Sequence, residues 1–365
     1  GTAAQYDELA RQPNLWHPLK GPQTVLRATA QYFRPLYDLL DAHYRPGETV
    51  IAAHGLDLAS RVLQEKRDAP VATVHYAPLA MRSMIDTPRM FGMLTSSGVP
   101  RWLKAAQFWA GDRLVIDPLL APSLDRLRGE LGLPRVRRIY AGWNQSPLLV
   151  LGMFPPWFAE PQSDWPAATH LLGFGLWDAD PAADLPLEVA EFLDEDPGES
   201  GRPIVFLPGS ANTAAAGFFA VAVDVCHQLG RRGILLSRYA EQIPSDLPRE
   251  VRSFRYVPLG RLLLRCAAMV HHGGIGTTAQ GLAAGLPQLV RPMAYDQLDN
   301  ACRLEALGVG QRLSVKRFTQ ASAVGALGRL LDSPSVANAC AQWAARCDGP
   351  AALRRGCELL AGLRR

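Results

Sequence analysis

Val270-His271-His272-Gly273-Gly274-Ile275-Gly276-Thr277-Thr278 decides how this chain reads. The apolar run 267–270 in front of it predicts a short buried strand. Residues 279–284 favour a helix, which Gly285 and Pro287 stop. The stretch is therefore a strand, a glycine-rich turn and the start of a helix. Unpaired N–H groups at a helix start attract an anion, and glycine lets a phosphate come close to the backbone. His272 adds a side-chain donor beside Gly274, Gly276 and Thr277. Further on, residues 288–290 predict another short strand. Asp296-Gln297 falls in the turn, or first helical turn, after it. A carboxylate beside a carboxamide suits the hydroxyls of a sugar.

Three readings of this stretch compete. The plainest is a strand-to-helix turn whose glycines only permit tight packing. The second is a dinucleotide fingerprint: Gly274-Ile275-Gly276-Thr277-Thr278-Ala279 fits G-x-G-x-x-A, with Asp296 about twenty residues further on. That fingerprint normally opens its domain and asks for no histidine pair. The third is a nucleotide-sugar site. His272-Gly273-Gly274-Ile275-Gly276-Thr277, Gly285-Leu286-Pro287, Pro292 and Asp296-Gln297-Leu298-Asp299-Asn300-Ala301 resemble the donor signature of the family 1 glycosyltransferases. The resemblance implies that His272 and the amides of the glycine turn hold a diphosphate, and that Asp296 and Gln297 hold the sugar.

At 365 residues two domains are the default expectation. With 48% hydrophobic and 20% charged residues, the composition is that of a globular protein. A net charge of +4 without long charge runs gives no reason to expect nucleic acid. It leaves an anionic ligand or a peripheral membrane contact open. The six cysteines, Cys226, Cys266, Cys302, Cys340, Cys347 and Cys357, show no C-x-x-C and no metal spacing. They read as reduced structural thiols, and with no spanning segment and no signal peptide at the start the expected location is cytoplasmic.

Along the chain, strands alternate with helices, the pattern of parallel sheets covered by helices. The first half predicts a helix over 25–43 kinked at Pro35, strands over 49–53, 71–75 and 148–152, and helices over 56–64 and 122–131, the last with Pro122 in its first turn. Residues 77–109 collect Met81, Met84, Met90, Met93, Phe91, Trp102, Phe108 and Trp109. They read either as two packed helices or as an apolar pocket, since methionine adapts to greasy partners. The segment 154–186, with Pro155, Pro156, Pro161, Pro166, Pro181 and Pro186, reads as a connection between domains containing a strand over 169–172. After Leu187 the predicted strands are 204–207, 234–237 and 254–257. The turn Pro208-Gly209-Ser210 and a helix over 213–229 follow the first of them; a helix over 298–307 and three more come last. The expected domains are 1–165 and 166–345, with a C-terminal helix over 346–365. His54 and His75 end predicted strands, where ligands bind in α/β proteins.

The likeness extends to Trp157-Phe158-Ala159, Asp164-Trp165-Pro166 and Pro258-Leu259-Gly260, which resemble the rhamnosyltransferases of rhamnolipid synthesis. It implies the α/β GT-B fold, two Rossmann-like domains facing each other across a cleft. It also implies inverting transfer of a sugar, with rhamnose a candidate, from a nucleotide-diphosphate donor to a hydroxyl of an apolar acceptor. The sugar nucleotide is a co-substrate, and no further cofactor or metal is expected. Ser210 joins the diphosphate set, Tyr256 and Val257 flank the base, and Gln280 stands where many relatives hold the ribose with a glutamate. Met84, Met90, Phe91 and Trp102 are the acceptor-side candidates. The catalytic base is unassigned, with His54 the candidate, because the family's opening strand and glycine turn are not found here. The chain is accordingly expected to bind nucleotide yet turn over poorly. An epimerase on the same ligand, an NAD-dependent dehydrogenase and a non-catalytic binding subunit are the alternatives.

Overall fold

A computed structural model describes residues 3–12, 14–178, 184–195 and 201–364. The chain divides into two compact units, Gly1–Gly175 with Pro350–Arg365, and Leu176–Gly349. Pro181, one of the prolines of the expected connection, lies outside the described residues.

The first unit contains a parallel sheet in the order β1 (Ile51–His54), β2 (Val71–His75), β3 (Leu149–Gly152) and β4 (Thr169–Leu171). Leu58, Val62 and Leu63 of helix Leu58–Arg67 pack with Ile51, Ala53 and Val71 on one face. Asp57 starts that helix by accepting from the Ser60 N–H at 3.0 Å. On the other face Ala72, Leu149 and Leu151 pack against Leu359, Leu360 and Leu363. Helix Gly349–Ala361 thus returns to complete this unit. The expected boundary after residue 165 is therefore corrected to 175, because β4 pairs with β3 and belongs to this sheet.

Three local expectations also change. The region 25–43 is two helices, Lys20–Ala30 and Phe33–His43, and Pro35 sits in the first turn of the second, where its missing N–H costs nothing. Residues 77–109 hold one short turn, Pro78–Ala80, an irregular segment to Pro100, and a single helix, Arg101–Gly111, not two. That helix continues through a π-helical turn, Asp112–Ile116, into Asp117–Glu130, so Pro122 lies inside a helix and not at its start. The widened turn relaxes the ladder ahead of Pro118 and Pro122.

The second unit holds β5 (Ile204–Leu207), β6 (Gly233–Leu236), β7 (Val251–Phe254), β8 (Ala268–His271), β9 (Gln288–Val290) and β10 (Gly310–Arg312). All pair in parallel, in the spatial order β7-β6-β5-β8-β9-β10. Strands buried on both faces send alternate side chains to opposite cores. Ile204 and Phe206 join the layer of helices Ala216–Leu229 and Gln320–Leu331, while Val205 and Leu207 join that of helix Leu187–Asp194. Chain order reverses between β5 and β8. In a doubly wound sheet that reversal opens a crevice at the carboxyl ends of the two strands. β7 ends at Phe254, so the strand expected over 254–257 lies three residues earlier and Tyr256 is in the loop beyond it. Cys226, Cys266 and Cys340 are buried thiols.

Candidate functional site

The turns after β5 and β8 meet at this reversal. After β5, Gly209 adopts φ +100°, and a Cβ there would stand 3.1 Å from the His272 ring. After β8, Gly273 adopts φ +94° and turns the chain into helix Ile275–Ala283. A Cβ on Gly274 would stand 2.5 Å from Nε2 of His272. Two glycines thus make the slot that the His272 ring fills. Its Nδ1 is buried without a hydrogen-bond partner among the described residues. Burial pushes His272 down to about 4, so the ring is neutral at neutral pH.

The helix start is open. Gly274 occupies the cap position and offers no side chain, so that among the first-turn donors of the described residues the Ile275 N–H alone is taken up, by Asp296. First-turn N–H groups have no acceptor inside their own helix. Gly276 and Thr277 of that first turn line a pocket of about 560 Å³ together with Ser210, His272 and Gly274. The pocket continues past the apolar side chains of Leu236 and Leu259 to the loops after β6 and β7. Tyr256, 57% exposed, and Val257, buried, line that end, so Tyr256 is not a strand-packing residue. Arg238 and Arg255 stand there too and are absent from the sequence-derived set. Both follow strand ends within two residues, the place where ligands gather in such sheets.

His271 does a different task from its neighbour. It is fully buried, accepts the Gly273 N–H on Nδ1 at 3.1 Å and meets Gln288 Oε1 with Nε2 at 2.9 Å. Nε2 therefore carries the proton, and burial lowers the group to about 3. Gln288 in turn donates to the Thr278 carbonyl at 3.3 Å. This pair fixes the glycine turn from behind.

Three sequence-derived residues are not in the pocket wall. Asp296 Oδ2 accepts from the Ile275 N–H at 3.2 Å and from Asn300 Nδ2 at 2.7 Å, and burial raises its pKa. Gln297 Oε1 accepts from the N–H groups of Met293 at 2.8 Å and Ala294 at 3.1 Å. Gln280 donates to the Trp177 carbonyl at 3.2 Å. Gln297 thus holds its own turn, Asp296 ties its turn to the start of helix Ile275–Ala283, and Gln280 ties that helix to Trp177. In the first unit, His54 Nδ1 accepts the Leu56 N–H at 3.1 Å and its ring stacks on Tyr76. The neutral ring then carries its proton on Nε2, which donates and does not accept. Met84, Met90 and Phe91 are half-buried along the irregular segment, and Trp102 is 71% exposed on helix Arg101–Gly111. Among the described residues no three His, Cys, Asp or Glu side chains are grouped to hold a metal ion.

Glycosyltransferase GtfE of Amycolatopsis orientalis is 31% identical over 294 residues, covering 79% of this chain and 68% of that protein. The chain belongs to the family 1 glycosyltransferases of GT-B fold. A family profile described as "Erythromycin biosynthesis protein CIII-like, C-terminal domain" matches residues 234–350, which include most of the pocket lining. Aklavinone 7-beta-L-rhodosaminyltransferase of Streptomyces galilaeus is 42% identical over 104 residues, 28% of this chain and 24% of that protein. Of such curated glycosyltransferase relatives the chain thus spans as little as a quarter of the length. Among solved structures, the spinosyn rhamnosyltransferase SpnG complexed with thymidine diphosphate superposes with a TM-score of 0.64 at 21% identity, covering 98% of this chain and 82% of that one. The two parallel sheets are the two Rossmann-like domains of the GT-B glycosyltransferase fold.

Proposed function

We propose that this chain transfers a sugar from a nucleotide-diphosphate donor to a hydroxyl of an apolar acceptor. The observation that carries the reading is the slot at the β5–β8 reversal, where His272 and the first turn of helix Ile275–Ala283 line one pocket. Two phosphates fit the first-turn amides and Ser210, and His272 supplies a further donor through Nε2. The nucleoside extends over the Leu236 and Leu259 side chains toward Tyr256, whose exposed ring offers a stacking face.

In the transfer, the acceptor oxygen gives up its proton to a base and bonds to the anomeric carbon. The bond from that carbon to the diphosphate oxygen breaks, and its electrons leave with the nucleotide diphosphate. Attack from the face opposite the leaving group inverts the centre. Charge grows on the diphosphate as the bond breaks, and donors already aimed at it stabilise that state more than the ground state. Thymidine diphosphate is the favoured nucleotide, supported by the SpnG complex. Met84, Met90 and Phe91 lead the acceptor side, and rhamnose is the candidate sugar.

The test is calorimetry with TDP, UDP and NAD, followed by turnover of TDP-rhamnose with and without a hydroxyalkanoyl acceptor. Binding of TDP and acceptor-dependent release of it support the reading. Binding of NAD in preference to TDP, or donor turnover that ignores the acceptor, overturns it.

A further inference from the structure

Helix Arg101–Gly111 is apolar on two sides. Phe108 faces the interior, and Gln107 ties the preceding segment to the helix, accepting the Leu94 N–H at 2.8 Å and donating to the Leu94 carbonyl at 3.1 Å. Outward, Trp102 is 71% exposed and Trp109, two turns on, is 53% exposed. Leu114 in the following π-helical turn is 71% exposed, and Leu94 beside the helix is 61% exposed. A folded surface seldom leaves two indoles on one side of a helix in water without a partner.

The charge around them has one sign. Arg101 and Arg113 are exposed and have no acidic partner among the described residues. The carboxylates of the same run are turned inward. Asp112 is buried against Arg82 at 2.7 Å, and Asp117 is buried accepting the N–H groups of Arg138 and Ile139. Indoles with guanidinium groups around them match the headgroup layer of an anionic bilayer, where rings lie at the apolar boundary and cations meet phosphates. A second copy docked by the same face would bring like charges together. No described helix is long and apolar enough to cross a membrane, so the contact would be peripheral.

We propose that this face docks on anionic phospholipid. The inference rests on exposure and charge in the first unit and stands whether or not the second unit binds a sugar nucleotide. Co-sedimentation of the whole chain with vesicles tests it, using phosphatidylcholine alone and an equal mixture with phosphatidylglycerol. The expected result is binding to the mixed vesicles that weakens with salt. Trp102→Ser with Trp109→Ser should lower partitioning at least about tenfold. Arg101→Gln with Arg113→Gln should remove the preference for phosphatidylglycerol, and serves if the tryptophan variant misfolds. Absence of wild-type binding to the mixed vesicles, or unchanged binding by both variants, overturns the proposal. So does a concentration-dependent dimer that the tryptophan substitutions abolish.

Discussion

Gly273 and Gly274 are neighbours, yet the same substitution should injure different properties of the protein. Gly273→Ala places a Cβ at φ +94°, 2.7 Å from Val290 Cγ1 and 3.0 Å from the Gln297 carbonyl. The left-handed backbone costs about 1–2 kcal/mol and the forced overlap about 1–3 kcal/mol more. The sum, about 2–5 kcal/mol, lowers the melting temperature of the unit Leu176–Gly349 by about 5–15 °C. Gly274 has φ −61° and ψ 142°, ordinary backbone for alanine. Its Cβ meets only the His272 ring, 2.5 Å from Nε2, so the ring must retreat by about 0.9 Å to reach the 3.4 Å of ordinary contact. A misplacement near 1 Å at a transition-state donor costs about 10²-fold in rate. Gly274→Ala should therefore lose about 10² in kcat/KM and bind TDP less tightly, while melting within about 2 °C of the parent. Differential scanning calorimetry and donor turnover, measured on both variants, decide it. A Gly274→Ala enzyme with parental kinetics would show that the slot around His272 is not part of the donor site. A Gly273→Ala protein with parental melting would show that the turn relaxes freely.

Further outcomes follow from the same geometry. His272→Ala should reduce turnover by about 10²–10³, the cost of one donor at developing charge, and an unchanged rate would move the diphosphate elsewhere. Gln288→Leu leaves the His271 N–H buried and unpaired, so it should cost about 1–3 kcal/mol in chemical denaturation; a loss below about 0.5 kcal/mol would refute this. Burial holds His75 and His272 at about 4 and His271 at about 3, against an ordinary 6.5. The unfolded chain takes these protons first, so stability is complete above pH 6.5 and falls toward pH 4, by about 1.4 kcal/mol per pH unit for each histidine. A urea midpoint that stays level between about pH 7.5 and 5 rejects that coupling. His54→Ala should change turnover less than about tenfold, because its acceptor nitrogen is already used by the Leu56 N–H; a loss above about 10³ would restore it as the base.

Much of the donor half of the fold was legible because β5, β6 and β8 are short, mostly apolar runs. Residues 288–290 matched without shift, and 267–270 moved by one. The expected strand over 254–257 slid because Tyr256 and Val257 look like strand residues, yet the β6 partner ends at Leu236 and gives them nothing to pair with. Pro122 misled because a π-helical turn, invisible to periodicity, precedes it. At the site, sequence found the residues that face the pocket through backbone or ring, from Ser210 to Thr277. It singled out His272 but gave His271 no task, because the support His271 gives the turn depends on its burial against Gln288. Nor did it separate the sugar-reading chemistry of Asp296 and Gln297 from their hydrogen bonds to neighbouring amides, since both uses call for the same residue types. Arg238 and Arg255 went unnoticed because each is a single arginine in a loop, and only the sheet order puts them side by side.

The return of helix Gly349–Ala361 to the first sheet has a consequence for biosynthesis. Leu359, Leu360 and Leu363 cover Ala72, Leu149 and Leu151, yet they are translated after the whole of Leu176–Gly349. The first unit begins its life with one sheet face bare, while the second emerges with all its own strands and can close at once. Domains generally fold as units as they leave the ribosome. Here the order of completion is inverted relative to the order of synthesis. Nascent chains stalled before residue 349 should therefore present that bare face to chaperones, and release of the last helix should end the exposure.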